Sequence, residues 1–360
     1  MPLSAILLTG KRPSRPMTRE YAYPQAPDLG PASLACVDMF GQSVMQRTIS
    51  RLQTAGVRAT SVITTPDCVA FSANKNVAIT ITEKPADRWC AAERTLKKEA
   101  QRGVDTFLIA ELGAYVELDL QDALRFHKAK GQPITCIHDS HGPLCFWLVD
   151  AAQVIASGKF PFPLDEEALE HPPIPYLVDA HVNRLSDARE FRQLVVDSFL
   201  GRCSIAPFGR EIKAGVWIEE GARVHKTARL VAPVYIGRNT QVQPAAVITR
   251  FTNLEHDCNV GEGSLVADAS ILSHTVIGKG LDVAAALVDG SDYFHLDRNL
   301  MLRIQDPNWI SDSAPLQPQV PNYLPEYEES FRRSRQLELE YSQYLSRAAG
   351  RLLEVFKGEV

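Results

Sequence analysis

Residues 212–272 read IKAGVWIEEGARVHKTARLVAPVYIGRNTQVQPAAVITRFTNLEHDCNVGEGSLVADASIL, and an aliphatic side chain recurs at every sixth position. The series is Ile212, Ile218, Val224, Leu230, Ile236, Val242, Ile248, Leu254, Val260, Val266 and Leu272. Four residues after each comes a small or β-branched residue, from Val216, Ala222 and Ala228 through Thr240, Cys258 and Ser264 to Val276. A period of six fits neither the 3.6-residue repeat of an amphipathic helix nor the alternation of a simple strand. It fits a chain that turns in short flat faces, each sending one aliphatic plug and one small side chain into a narrow interior. Three residues after the aliphatic lie Gly215, Gly221, Asn239, Asp257 and Gly263, types that accept the positive φ of a tight corner. The pattern predicts a parallel β-helix of hexapeptide repeats.

Beyond the ladder the phase slips by one, to Ile277 and Val283, and fades around Asp289-Gly290. Pro307, Pro315, Pro318, Pro321 and Pro325 punctuate a linker. Residues 326–358 are then expected to form a C-terminal α-helix. Leu337, Tyr341, Tyr344, Ala348, Leu352 and Val355 recur at steps of three and four, an apolar stripe that must pack on something.

Ahead of the ladder, apolar strands alternate with helical patterns. Ser4 to Leu8, Thr60 to Ile63 and Thr106 to Ala110 are expected strands. Val44, Ile49 and Leu52 space one helix, and Trp89, Ala92 and Leu96 a second. Leu120, Ala123 and Leu124 begin a third that stops at Gly131. Pro133 to His138 and Leu144 to Val149 flank the polar turn Asp139-Ser140-His141-Gly142, and Ala188 to Leu200 is a helix leading into the repeats. Alternating strand and helix argue for an α/β domain with a mostly parallel sheet.

Composition narrows the class. A net charge of -5 provides neither a basic surface for nucleic acid nor a strongly acidic tail. The seven cysteines are odd in number and scattered without a C-x-x-C, which suits reduced thiols in a cytoplasm. The apolar run Ala5 to Leu8 is too short for a signal peptide or a membrane span. A soluble cytoplasmic protein, without nucleic acid or membrane as partner, is expected.

The repeats resemble left-handed β-helix transferases, which implies about 18 residues per coil. An α/β domain feeding such repeats resembles the nucleotide-sugar pyrophosphorylases, especially the mannose-1-phosphate guanylyltransferase-like branch, over most of the chain to about Ile310. In that family a glycine-rich turn after the first strand reads L-A-x-G-x-G-x-R, followed by R-P-L-T, and its amides cradle the nucleotide phosphates. Here the stretch is Leu7-Leu8-Thr9-Gly10-Lys11-Arg12-Pro13-Ser14, then Arg15-Pro16-Met17-Thr18. The resemblance implies that Gly10, Lys11 and Arg15 face the phosphates. The second glycine is missing, and Pro13 removes an amide donor.

Two further motifs depart from the family. Ala32 in Pro31-Ala32-Ser33-Leu34 stands where a phosphate-contacting lysine is expected. Ala114 in Glu111-Leu112-Gly113-Ala114 stands where an aspartate would hold magnesium. Glu111 and Glu117 are the substitutes at hand. Phosphoryl-type transfer depends on positioning and charge neutralisation, so losing both groups removes much of the machinery. If the site is active, the resemblance implies magnesium, with its ligands unassigned; otherwise it implies no cofactor.

A second resemblance lies inside the ladder. Leu254-Glu255-His256-Asp257-Cys258-Asn259-Val260-Gly261 resembles the H-D-C-x-[VI]-G stretch of hexapeptide sugar and lipid acyltransferases. It implies His256 as general base and Asp257 as the residue orienting it. His274 lies 18 residues on and should stack on the adjacent coil. Both histidines also fit as polar corner residues. His138-Asp139-Ser140-His141 offers metal-ligand types but reads as a hairpin turn. Gly278-Lys279-Gly280 resembles a phosphate loop only superficially.

The expected architecture is therefore an α/β nucleotidyltransferase-like (Rossmann-like) domain over residues 1–200. A left-handed parallel β-helix follows over 205–310, then the C-terminal helix. The leading function is a nucleotide-sugar pyrophosphorylase-like protein with a degraded site, taking a nucleotide or sugar phosphate. An acyltransferase using His256 and a non-catalytic regulatory or scaffold subunit stay open beside it. The resemblance also implies a homo-oligomer, a trimer or a multiple of one.

Overall fold

The computed structural model describes residues 3–9, 34–65, 77–84, 86–158, 160–163 and 173–313. The expected C-terminal helix lies outside them. The described residues up to Ser313 belong to one compact unit.

The first half is a seven-stranded mixed sheet. In spatial order its strands are Tyr176–Leu177, Ile134–Asp139, Gly142–Asp150, Thr106–Glu111, Leu3–Leu8, Ala59–Thr64 and Val77–Ile81. The four on the Leu3–Leu8 side run parallel, and Gly142–Asp150 runs antiparallel to both neighbours. Every residue of Leu3–Leu8 is buried, as a central parallel strand covered on both faces requires. Helix α1 (Val44–Thr54) begins with a capping box, in which Ser43 and Gln46 each accept the other's backbone N–H. α2 (Asp87–Gln101) packs on the opposite core. α3 (Leu120–Lys130) is capped by Asp119 and stopped by Gly131 at φ 61°. α4 (Ala151–Ala156) is a short turn after the hairpin. α5 (Ala188–Phe199), capped by Asp187, precedes the repeats.

The repeats form a stack of short parallel strands. Val216 pairs with Val234 and Val234 with Thr252; Arg223 pairs with Gln241 and Gln241 with Asn259. Each step is one coil of 18 residues. Gly215, Gly221, Asn239, Asp257 and Gly263 all have positive φ, between 57° and 80°. Val234, Ile236, Val242, Ile248, Leu254, Val260 and Val266 are buried in one interior cluster.

Two rungs of the sequence ladder fall outside that interior. Ile212 is 55% exposed, on the antiparallel strand Arg210–Lys213 that closes the first coil. Leu272 belongs instead to the core shared with α5, and Ile271 takes the plug position by pairing with Leu254. The slip therefore comes before Leu272. Between Thr249 and Asn253 the corner uses Arg250, Phe251 and Thr252, whereas one coil later only Asp268 and Ala269 lie between Ala267 and Ser270. The two left-handed residues Arg250 and Phe251 are replaced by Asp268 alone. One residue is lost at the corner, and the interior keeps an aliphatic side chain.

The two halves share one hydrophobic core. Tyr235, Leu272, Leu287, Phe294 and Leu296 from the coils pack in the same cluster as Phe40, Phe191, Leu194 and Val195. Arg192 on α5, 5% exposed, crosses into the coils. It donates to Asp268 at 2.8 Å, and more weakly to the Arg250 carbonyl, Ser270 and Asn253.

Candidate functional site

In the α/β sheet the chain first builds outward from Leu3–Leu8 through Ala59–Thr64 and Val77–Ile81, then crosses to the other side at Thr106–Glu111. The crevice between the carboxyl ends of Leu3–Leu8 and Thr106–Glu111 is thus the topological switch point, where open α/β sheets take ligands. Thr9 follows the first strand; its hydroxyl donates to Thr64 Oγ1 at 2.7 Å. Arg88, in the first turn of α2, is 1% exposed and donates from Nη1 to the Thr9 carbonyl at 2.8 Å. Its Nη2 lies 3.6 Å from the Glu111 carboxylate. A buried guanidinium thus ties the ends of two adjacent strands to the start of α2.

Gly10, Lys11, Arg15 and Ala32 lie outside the described residues. Ala114 is buried. The two carboxylates considered as substitute magnesium ligands are otherwise engaged. Glu111 pairs with Arg88 Nη2 at 3.6 Å, which already supplies it with a positive charge. Glu117 accepts from the Tyr115 hydroxyl at 2.6 Å and from the Ser204 N–H. Burial works against ionisation of Glu117, yet these hydrogen bonds hold its carboxyl below the usual range. The described residues at the strand ends therefore do not fit magnesium. Arg88 was not among the sequence candidates, although it occupies the apolar stripe of α2 with Ala91, Ala92 and Leu96. A charge on a buried stripe was the available clue.

The second constellation lies where the halves meet. The two-residue strands Asp38–Met39 and Gln42–Ser43 form a hairpin whose tip, Phe40 (φ 55°) and Gly41 (φ 81°), has the doubly positive φ of a tight turn. A Cβ on Gly41 would strike the Glu219 carboxylate and come within 2.9 Å of the Tyr235 hydroxyl, so only glycine fits. Both tip amides point at Glu255: Phe40 N–H donates at 2.9 Å and Gly41 N–H at 3.0 Å. Asn253 Nδ2 donates to the same carboxylate at 2.7 Å. Glu255 is fully buried, and burial pushes its carboxyl up to about 7 against the pull of these donors.

Beside it, His256 Nε2 lies 2.9 Å from Asp38 Oδ2, and Nδ1 lies 3.0 Å from Asp257 Oδ2. Two carboxylate acceptors require a proton on each ring nitrogen, which makes the ring an imidazolium. The hydrogen bond to Asp38, aided by Asp257, raises His256 to about 9 despite its desolvation. Both ring nitrogens are engaged by carboxylates, so one proton must leave the ring before His256 can act as a base. The His274 ring sits edge-on to His256 with centroids 5.0 Å apart, one coil on. One ligand atom from each of His256, Asp257 and His274 lies within 4.8 Å of the others.

The remaining motifs are structural. Asp139 is gripped by the Arg184 guanidinium and accepts the His141 N–H at 2.7 Å, which makes His138 to His141 a pinned turn. Gly278 donates its N–H to the Trp309 carbonyl at 2.6 Å on a coil corner rather than before a helix. Among the described residues no helix is long and apolar enough to cross a membrane. The sequence matches no family model and no curated protein.

Proposed function

We propose that this chain is a nucleotide-sugar pyrophosphorylase-like protein, a nucleotidyltransferase-like α/β domain ahead of a left-handed β-helix. On this reading it takes a nucleotide or sugar phosphate at the strand ends and turns it over weakly or not at all. The observation that carries the reading is the buried Arg88 paired with the part-exposed Glu111 at the switch point. The crevice there suits a ligand, while the carboxylate nearest to it is neutralised by an arginine and withdrawn from metal binding. Phosphoryl-type transfer without that charge neutralisation is slow.

The test is calorimetric titration with a panel of nucleoside triphosphates and sugar 1-phosphates, alongside pyrophosphate release with magnesium. The expected outcome is saturable binding of at least one ligand. Turnover is expected below about 0.01 per second, against roughly 10 per second for a typical enzyme. Absence of binding across the panel overturns the reading, and robust turnover overturns the claim that the Arg88–Glu111 pair disables the site.

The same reading includes a cytoplasmic homo-oligomer, a trimer or a multiple of one. Support for the compartment comes from the cysteines, which are odd in number and scattered without a C-x-x-C. Apolar side chains left open on the coils, Ile212 at 55% and Val231 at 44% exposure, support the oligomer. Light scattering at micromolar concentration should give a mass near three chains or a multiple of three; a monomer would count against it.

A further inference from the structure

The joint between the halves contains a set of side chains that the nucleotide reading does not use. We propose that His256, Asp257 and His274 bind a divalent transition-metal cation of the zinc type, oriented by Asp38. The three donors come from two adjacent coils. Asp257 and His274 occupy left-handed corners, at φ 57° and 63°, and the His274 N–H donates to the His256 carbonyl at 3.0 Å. Their ligand atoms already lie within 4.8 Å of one another. Zinc–ligand bonds of about 2.0–2.1 Å place tetrahedral donors roughly 3.4 Å apart, so side-chain rotations of about an ångström or so close the set.

Asp38 provides an independent observation. A metal-bound imidazole almost always donates its other N–H to a carboxylate, which fixes the tautomer and aims the free nitrogen at the ion. His256 Nε2 meets Asp38 Oδ2 at 2.9 Å, leaving Nδ1 beside Asp257 as the metal-facing nitrogen. On binding, the cation replaces the Nδ1 proton, which leaves to solvent, while the Nε2 proton stays on the Asp38 bond. Two imidazoles and one carboxylate are borderline donors that favour zinc and its late first-row neighbours over magnesium or calcium. Three protein ligands leave one tetrahedral position for water. Because Asp38 belongs to the hairpin of the α/β half, the ion would pin that hairpin to the coils.

The experiment is titration of the chelator-treated full chain with zinc by calorimetry, with cobalt as an optical probe. The wild type is expected to bind one zinc with a Kd of about 1 μM or tighter and to give the intense visible bands of tetrahedral cobalt. His274→Asn and Asp257→Asn keep side chains that tolerate the left-handed corner, and each should weaken zinc binding by about 10-fold or more. Asp38→Asn, which touches no metal, should weaken it by about 10- to 100-fold. Circular dichroism verifies that each variant is folded, and a ligand variant that unfolds is replaced by His274→Gly or Asp257→Gly, since glycine adopts the left-handed corner without strain. The proposal is overturned if the wild type takes up zinc only above about 100 μM. It is equally overturned if folded ligand variants bind zinc as the wild type does.

Discussion

Glu255 and His256 are neighbours in the chain with opposite charges to manage, and both are held more protonated in the fold than when unfolded. Glu255 rises from 4.5 to about 7 by burial, and His256 from 6.5 to about 9 chiefly through Asp38. A group with a raised folded pKa contributes its stability below the unfolded value and loses it as pH climbs through the folded value. Both residues therefore act in one direction: stability should fall as pH rises, first between about 4.5 and 7 and then between 6.5 and 9. For His256 the loss is on the order of 3 kcal/mol. Carboxyls held low, such as Asp257 and Glu117, act oppositely in acid, and burial of His127, which lowers its pKa, acts oppositely below about 6.5, so the decline is cleanest between pH 7 and 9. Denaturant unfolding with a chelator present should show the decline, and Asp38→Asn should flatten chiefly its upper part, since Asp38 is the first cause of the His256 shift and the least of those of Glu255. Stability that rises across this window would contradict the assignment.

At the scale of the element, rungs that are equivalent in sequence have unequal weight. Ile212 fits the period of six, yet its strand runs antiparallel at the open end and its side chain is exposed. Ile271 breaks the period, yet it is fully buried between Leu254 and Val288. Ile271→Ala should cost about 2–5 kcal/mol, the range for emptying a packed core site, and Ile212→Ala about 0.5 kcal/mol or less in the isolated chain. Chemical denaturation of the two variants checks this, and equal costs would refute the shifted register. The period of six was legible because each rung meets its neighbour at a fixed chain offset. The one-residue corner at Asp268 was not: at that point the hexad pattern and the one-shifted pattern both offer an aliphatic, Leu272 or Ile271. What separates them is the core each enters, Leu272 that of α5 and Phe294, Ile271 that of the coil interior.

For the whole molecule, the consequence of the shared core is cooperativity. The α/β sheet and the coil stack are distinct in pattern, but α5, the Phe40 hairpin tip and the Tyr235 face of the coils pack in a single cluster. Phe40 meets Phe199 and Tyr235 edge-on at 4.7 and 5.2 Å, and both amides of the hairpin tip donate to the buried Glu255. Losing one half would expose apolar faces of the other, Tyr235, Leu287 and Phe294 among them, at about 25 cal/mol per Å² of apolar surface. Scanning calorimetry should therefore show one transition over the described unit, with equal calorimetric and van't Hoff enthalpies. Two resolved transitions would mean that the joint is weak.

The sequence by itself determined the repeat, its corners and the alternation of strands and helices ahead of it, because those depend on neighbours a few residues or one coil away. It also marked His256 and Asp257 as chemically loaded. Only the tertiary structure decided which groups they meet. Asp38 lies 218 residues from His256 in the chain, and Phe40 lies 215 from Glu255. No local period encodes a contact across such a distance. It arises when a hairpin with no repeat of its own docks its two amides onto a buried carboxylate. That docking makes the histidine an imidazolium between carboxylates rather than a free base.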